Sequence, residues 1–280
     1  METRNRDTEV AARSGLKLGL ALLGFLACGL AAGQDGKGHP GLTDRWTFQL
    51  GAYVPKVDTI AYLNSASGAR GTSISFEEDL NLTDRKTMPA LLAAVRLGER
   101  WKVEAEYFSL HRSGSRSINR TINWGDNTYP IASTVSSEFD SDIYRLSVGY
   151  SFVKDSQREL GAALGLHVTE FNTALSSAGV GSNSNDTLAP LPTIGVYGAY
   201  AITPKWLLSG RLDYFTLDYD EYEGTLVNLT FGVDYRFSRH FGVGLGFRHV
   251  DYDVTVTDTR YNGGIQYKFN GPVFYAVTSF

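Results

Sequence analysis

Residues 227–237 read Val-Asn-Leu-Thr-Phe-Gly-Val-Asp-Tyr-Arg-Phe. In an extended chain successive side chains point to opposite sides, so Val227, Leu229, Phe231, Val233, Tyr235 and Phe237 share one face. Asn228, Thr230, Gly232, Asp234 and Arg236 share the other. A soluble sandwich could use such a strand. The fold is decided by recurrence: the same period-two alternation returns about ten times along the chain. It predicts strands over Arg45–Val54, Pro89–Leu97, Trp101–His111, Asp142–Phe152, Glu159–Phe171, Pro192–Ile202, Lys205–Asp218, Leu226–Phe237, Phe241–Val254 and Ile265–Phe280.

The connections between these strands alternate in length. Gly98–Arg100, Val153–Arg158, Thr203–Pro204 and Ser238–His240 are brief, whereas Pro55–Met88, Arg112–Ser141 and Asn172–Leu191 are long and rich in Gly, Ser, Asn and Asp. Short turns at one end and long loops at the other are the habit of a bacterial transmembrane barrel. The expected fold is therefore all-β, an antiparallel up-and-down transmembrane β-barrel of about ten strands, or eight if Pro89–His111 forms a loop hairpin.

Composition agrees. The 280 residues include 16 Tyr, 15 Phe and 30 Gly against two Met and one Cys, which favours strands and turns over helical packing. A net charge of −4 offers no nucleic-acid signature. A mean hydropathy of −0.17 fits poorly with several helical spans and well with a barrel, in which every second residue can be polar.

One apolar run stands apart, Leu16–Ala32 (LKLGLALLGFLACGLAA), preceded by Arg13 and containing Lys17. Basic, apolar and then small residues make a secretory signal, expected to be cleaved after Gly33; the run is short for a membrane anchor. The partly acidic stretch ahead of Arg13 is long for such a signal. Cys28 would leave with it, and Leu23–Ala27 matches a lipoprotein cleavage motif poorly. The expected organisation is residues 1–33 as signal, 34–44 as a linker and 45–280 as the barrel.

With the more apolar face turned to lipid, Arg96, Lys102, Glu104, Glu106, Arg145, His167, Arg211, Asp213, Asp234, Arg236 and Arg248 line the lumen. Gly161, Gly165, Gly195, Gly242, Gly244 and Gly246 share that face and would relieve crowding. Buried charges must be paired, so an interlocked ion-pair core is the first reading and a narrow charged conduit the second. Trp46, Trp101, Trp206 and Phe241 sit beside the short turns, as an interfacial aromatic girdle requires.

No nucleotide-binding loop, zinc motif or paired-cysteine motif occurs, and no cofactor or metal is expected. The alternating glycines of Gly242–Gly246 open no helix. The acidic stretch Asp218–Glu223 (DYDEYE) reads as a solvated loop rather than a cation site, and Phe76–Asp79 (FEED) as a structural segment folded into the mouth or forming an extra hairpin. His111, Ser113, His167 and His249, with Asp213, Asp218 and Asp251, are dispersed and form no recognisable hydrolase motif, so no catalytic residues are expected.

Phe280 ends the chain with Ala276 and Phe274 on its face and Thr278 between them. This resembles the terminal strand signal that outer-membrane assembly machinery reads. Together with the strand rhythm, the chain is similar to the small outer-membrane β-barrels of Proteobacteria, the group that includes outer membrane protein A-like barrels. Leu191–Gly195 (LPTIG), Lys205–Leu208 (KWLL) and Tyr219–Gly224 (YDEYEG) resemble one subgroup with no common activity. The resemblance implies a cell outer-membrane location, with outer-membrane lipid, lipopolysaccharide and the assembly machinery as partners, but no ligand. Of the roles open to such a barrel, a structural or surface-interaction one comes first, a narrow solute channel second, and an enzyme acting on lipid A or peptides third.

Overall fold

The computed structural model describes residues 38–219, 222–257 and 262–280. The expected signal, residues 34–37 of the linker and the middle of the Asp218–Glu223 loop lie outside the described residues. A four-residue helix, α1 (Pro40–Thr43), precedes β1 (Trp46–Tyr53), β2 (Lys56–Leu63), the two-residue β3 (Ile74–Ser75), β4 (Met88–Leu97) and β5 (Trp101–Ser117). Next come a small hairpin, β6 (Ile122–Trp124) and β7 (Asn127–Tyr129), then β8 (Thr134–Lys154), β9 (Arg158–Ser177) and β10 (Gly181–Thr203). The chain ends with β11 (Trp206–Tyr219), β12 (Tyr222–Arg236), β13 (Phe241–Thr257) and β14 (Asn262–Ser279). Each wall strand pairs antiparallel with the next, and β1 pairs with β14, which closes the sheet into a barrel. Pro89–His111 lies in β4 and β5 and belongs to the wall, so ten strand positions close the ring.

β1 and β2 form one wall position. Tyr53 faces Val273 and Lys56 faces Asn270 in a single register against β14. The ladder is interrupted at Pro55, which has no N–H to donate.

Five expected boundaries require correction. The first strand runs on to Leu63, and β5, β8, β9 and β10 extend far beyond the predicted ends, so Arg112–Ser141 and Asn172–Leu191 are largely strand. The cause is an inversion of the apolar phase. In β8, Tyr144, Leu146, Val148, Tyr150 and Phe152 are exposed, while further up Val135, Phe139 and Ile143 are buried. In β13, Phe241, Val243, Leu245 and Phe247 are exposed, then Val250, Tyr252, Val254 and Val256 are buried. Within the bilayer the apolar side chains face out toward lipid. Beyond it they face in, away from water. Alternation read with one fixed phase therefore breaks where the strand merely leaves the membrane.

The segment between β2 and β4 folds back into the mouth. Phe76 is fully buried, its ring 5.3 Å from Phe139 and 6.0 Å from Trp124 of the β6–β7 hairpin. Glu77 accepts from the Thr59 amide (2.8 Å) and pairs with Arg112.

Candidate functional site: the lumen and its two layers

The lower layer of the lumen is polar. Glu106 accepts from both terminal nitrogens of Arg248 (2.8 Å each) and from Arg145 Nε (2.9 Å). Arg248 Nε donates to Asn228 (2.9 Å), whose amide donates to Asp213 (2.9 Å). Arg211 donates to Asp213 (2.7 Å) and to Glu104 (2.6 Å), and Glu104 lies 3.8 Å from Arg145. The chain of contacts closes on itself through β5, β8, β11, β12 and β13. It holds three carboxylates and three guanidiniums, so its charge sums to zero.

A second cluster joins this ring below. Arg96 meets Glu159 through two bonds of 2.7 Å, Lys154 reaches the same carboxylate at 3.1 Å, and Ser151 donates to it at 2.6 Å. Lys102 links the clusters, 3.2 Å from Glu104 and 4.0 Å above the Tyr197 ring. Asp234 and Arg236 stand outside both: Asp234 accepts from Tyr275, and Arg236 bonds to the His240 carbonyl at 3.3 Å. His167 is buried 3.9 Å from Asp213. A cavity of about 190 Å³ runs among these groups, between Gly41 near the short turns and Phe108 above.

Asn228 bridges Arg248 and Asp213 within the ring and Glu159 centres the second cluster, and neither was among the residues expected for the network. Asn228 carries no charge, and Glu159 opens its strand beside a turn, where a carboxylate reads as solvated. Asn228 was nevertheless visible on the polar face of residues 227–237.

The upper layer is mainly aromatic, with the buried Arg112–Glu77 pair lodged beside Phe139, which corrects the expectation of a lumen filled throughout by charge. Tyr53, Phe108, Phe139, Phe171, Tyr252, Tyr267 and Phe269 are all at most 4% exposed and form one hydrophobic cluster. Phe139 and Tyr267 lie 5.2 Å apart, and Phe171 and Tyr267 5.8 Å. Arg248 stacks over Phe108 at 4.4 Å, marking the seam between the layers. Such aromatic pairs contribute roughly 0.5–1.5 kcal/mol each beyond area burial.

The lumen is closed below as well. Leu42 of α1 packs against Ala201 and Leu207, and Asp44 receives Arg239 (2.6 Å) and Ser279 (2.7 Å). Burial and the charge of Arg236 lower the His39 pKa to about 4. Burial raises the Asp44 pKa, but the bonds from Arg239 and Ser279 outweigh it and leave the carboxyl below its ordinary value.

Trp46, Trp101, Trp206 and Phe241 are 41–56% exposed on the outer face, at the ends of their strands beside the short turns. Phe280 is exposed, its ring 6.0 Å from Phe48. Among the residues considered for hydrolysis, His111 and Ser113 face outward on β5, far from His167 inside, while Asp251 pairs with Lys268 at 3.3 Å. Among the described residues no group of three or more His, Cys, Asp or Glu could hold a metal ion.

No family model matches the chain, and no curated protein does. The fold is similar to the outer membrane protease OmpT of Escherichia coli, at 13% identity and a TM-score of 0.54, covering 88% of this chain and 99% of that one. The translocator domain of the autotransporter NalP of Neisseria meningitidis gives 12% identity and 0.45, covering 96% and 97%; the Pseudomonas putida toluene transporter TodX gives 12% and 0.36, covering 87% and 93%. The fold is that of a Gram-negative outer-membrane β-barrel. With its outward apolar belt and aromatic collar, the chain is an outer-membrane protein.

Proposed function

We propose that the protein is a closed, non-conducting barrel that works at the outer surface of the membrane rather than through its lumen. The observation that carries this reading is the aromatic layer. The upper lumen is occupied by aromatic side chains packed as in a soluble core, and the one guanidinium buried beside Phe139, Arg112, is paired with Glu77, so an ion entering this layer would have to displace packed apolar groups. Beneath it the ion-pair ring satisfies its own members, so its charges are engaged with one another rather than offered to a permeating ion. The channel reading loses support on both counts. Outer-membrane lipid and lipopolysaccharide are the proposed surroundings of the wall, with the assembly machinery engaging Phe280 during biogenesis.

Planar-bilayer recording from the purified, heat-modifiable protein tests this. Silence is the expected result. A steady single-channel current altered by Arg211→Ala would overturn the closed-barrel reading and establish a selective conduit.

A further inference from the structure

On β5 the buried Phe108 and Leu110 face the core, so Ser109 and His111 between and beyond them face outward. Ser109 Oγ lies 2.8 Å from His111 Nε2. The other ring nitrogen, Nδ1, lies 3.3 Å from Asp140 Oδ2. Asp140 sits directly opposite His111 on β8, and its second oxygen accepts from the Arg112 amide at 3.3 Å. A hydroxyl, an imidazole and a carboxylate in series are the arrangement by which a serine becomes a nucleophile. The carboxylate on Nδ1 favours the tautomer that carries its proton there, leaving Nε2 free to accept from Oγ.

The position of this series selects a substrate class. Along the outward face of β5, Trp101 marks the lower collar and His111 lies ten residues above it. At ~3.3 Å per residue and a tilt of about 40°, that is roughly 25 Å of height, the thickness of an apolar barrel belt. The belt's last aromatic pair here is Tyr107 and Tyr144, 5.0 Å apart, and the next outward residues are Ser109 and Asp142. The series thus stands on the outer wall, where acyl chains end and ester linkages of membrane lipids lie. Ser109 is 8% exposed and the His111 side chain 57%, so the attacking oxygen is sheltered while the base is open. Lys86 donates to the His111 carbonyl and brings a cation to the same rim.

We propose that Ser109, His111 and Asp140 form an acyl-ester hydrolase site on the outer wall, acting on carboxylic esters of membrane lipids. Ser109 Oγ bonds to the acyl carbon as its proton passes to His111 Nε2; the ester C–O bond breaks, and the leaving alcohol takes that proton. Water, deprotonated by the same nitrogen, then adds to the acyl-serine. The fatty acid leaves as Oγ recovers its proton. Ser109 and His111 are the catalytic residues, and Asp140 is a positioning residue.

The test uses the full barrel folded in two kinds of vesicle, one of glycerophospholipid alone and one that also contains lipopolysaccharide, with released fatty acid measured. A fluorophosphonate probe is applied in parallel, with its site found by mass spectrometry. The expected result is release in at least one arm, which identifies the ester's source, and probe attachment at Ser109. Ser109→Ala abolishes both while leaving heat modifiability intact. Asp140→Asn lowers kcat by roughly 100-fold or more at unchanged KM. Folded protein that releases no fatty acid in either arm overturns the proposal, whether or not the probe attaches. Release that survives Ser109→Ala overturns it too. None of these outcomes depends on whether the lumen conducts.

Discussion

Glu106 accepts from two guanidiniums at once, so its loss leaves Arg145 and Arg248 facing each other in a closed space. Glu106→Gln is expected to lower unfolding stability in detergent micelles by ~3–5 kcal/mol, because removing one partner of a buried pair strands the other. Urea unfolding followed by tryptophan fluorescence measures it, and a loss under about 1 kcal/mol would mean that water already solvates the ring. Two lumen glycines make room for rings: a Cβ on Gly244 would come within 2.2 Å of Tyr275, and one on Gly161 within 2.4 Å of Tyr197. Gly244→Ala should therefore cost ~1–3 kcal/mol in the same assay, as overpacking does, and an unchanged midpoint would show that Tyr275 moves freely. The ring's charged members were legible in the sequence because a charge on an alternating strand must turn from lipid. Ser109 was not. Its significance rests on His111 two residues on and Asp140 across the ladder, and sequence distance hides a cross-strand neighbour.

The ten strand positions and the parity of their connections could be read from alternation alone, but their lengths could not. Each long strand carries two apolar phases, outward in the bilayer and inward above it, and the junction near Tyr144 in β8 reads as an end. The segment His39–Asp44 was equally hidden, since a short polar stretch with one Pro has no periodicity; its structure comes from docking. His39 accepts from the Gly41 amide at 3.0 Å and caps α1. With the His39 pKa lowered from 6.5 to about 4, the undocked segment takes up a proton in that window that the docked one does not. Docking is thus fully favoured above pH 6.5 and weakens as pH falls toward 4. Asp44, held below its ordinary 3.8, adds a second loss as pH falls below that value. Amide exchange in this segment should accelerate between pH 6.5 and 4 beyond the intrinsic trend. His39→Asn keeps a capping side chain without a titrating ring and should flatten the response in that window. An equal response in the variant would place the sensitivity elsewhere.

Across the whole molecule three closures lie in series from the short turns to the mouth: the docked α1, the neutral ring with its 190 Å³ cavity, and the aromatic layer. They differ in how they fail. A polar ring can admit water as its side chains shift, because each group it exposes is hydrated in return. An aromatic layer admits water only by losing packed apolar contact, which makes it the true seal. The closures should therefore be unequal under mutation. Deleting residues 39–43 exposes the cavity from below but leaves the upper layer intact, and planar bilayers should stay silent. Replacing Phe139 and Tyr267 together with Ser opens polar space through that layer and should give a measurable current, provided the variant remains heat-modifiable. Each such truncation removes buried aromatic contact at a cost of about 3–5 kcal/mol, so folding is checked first. Current after the deletion alone would show that α1, not the aromatic layer, is what holds ions back. Silence in a folded double variant would show that the ring below seals the lumen by itself.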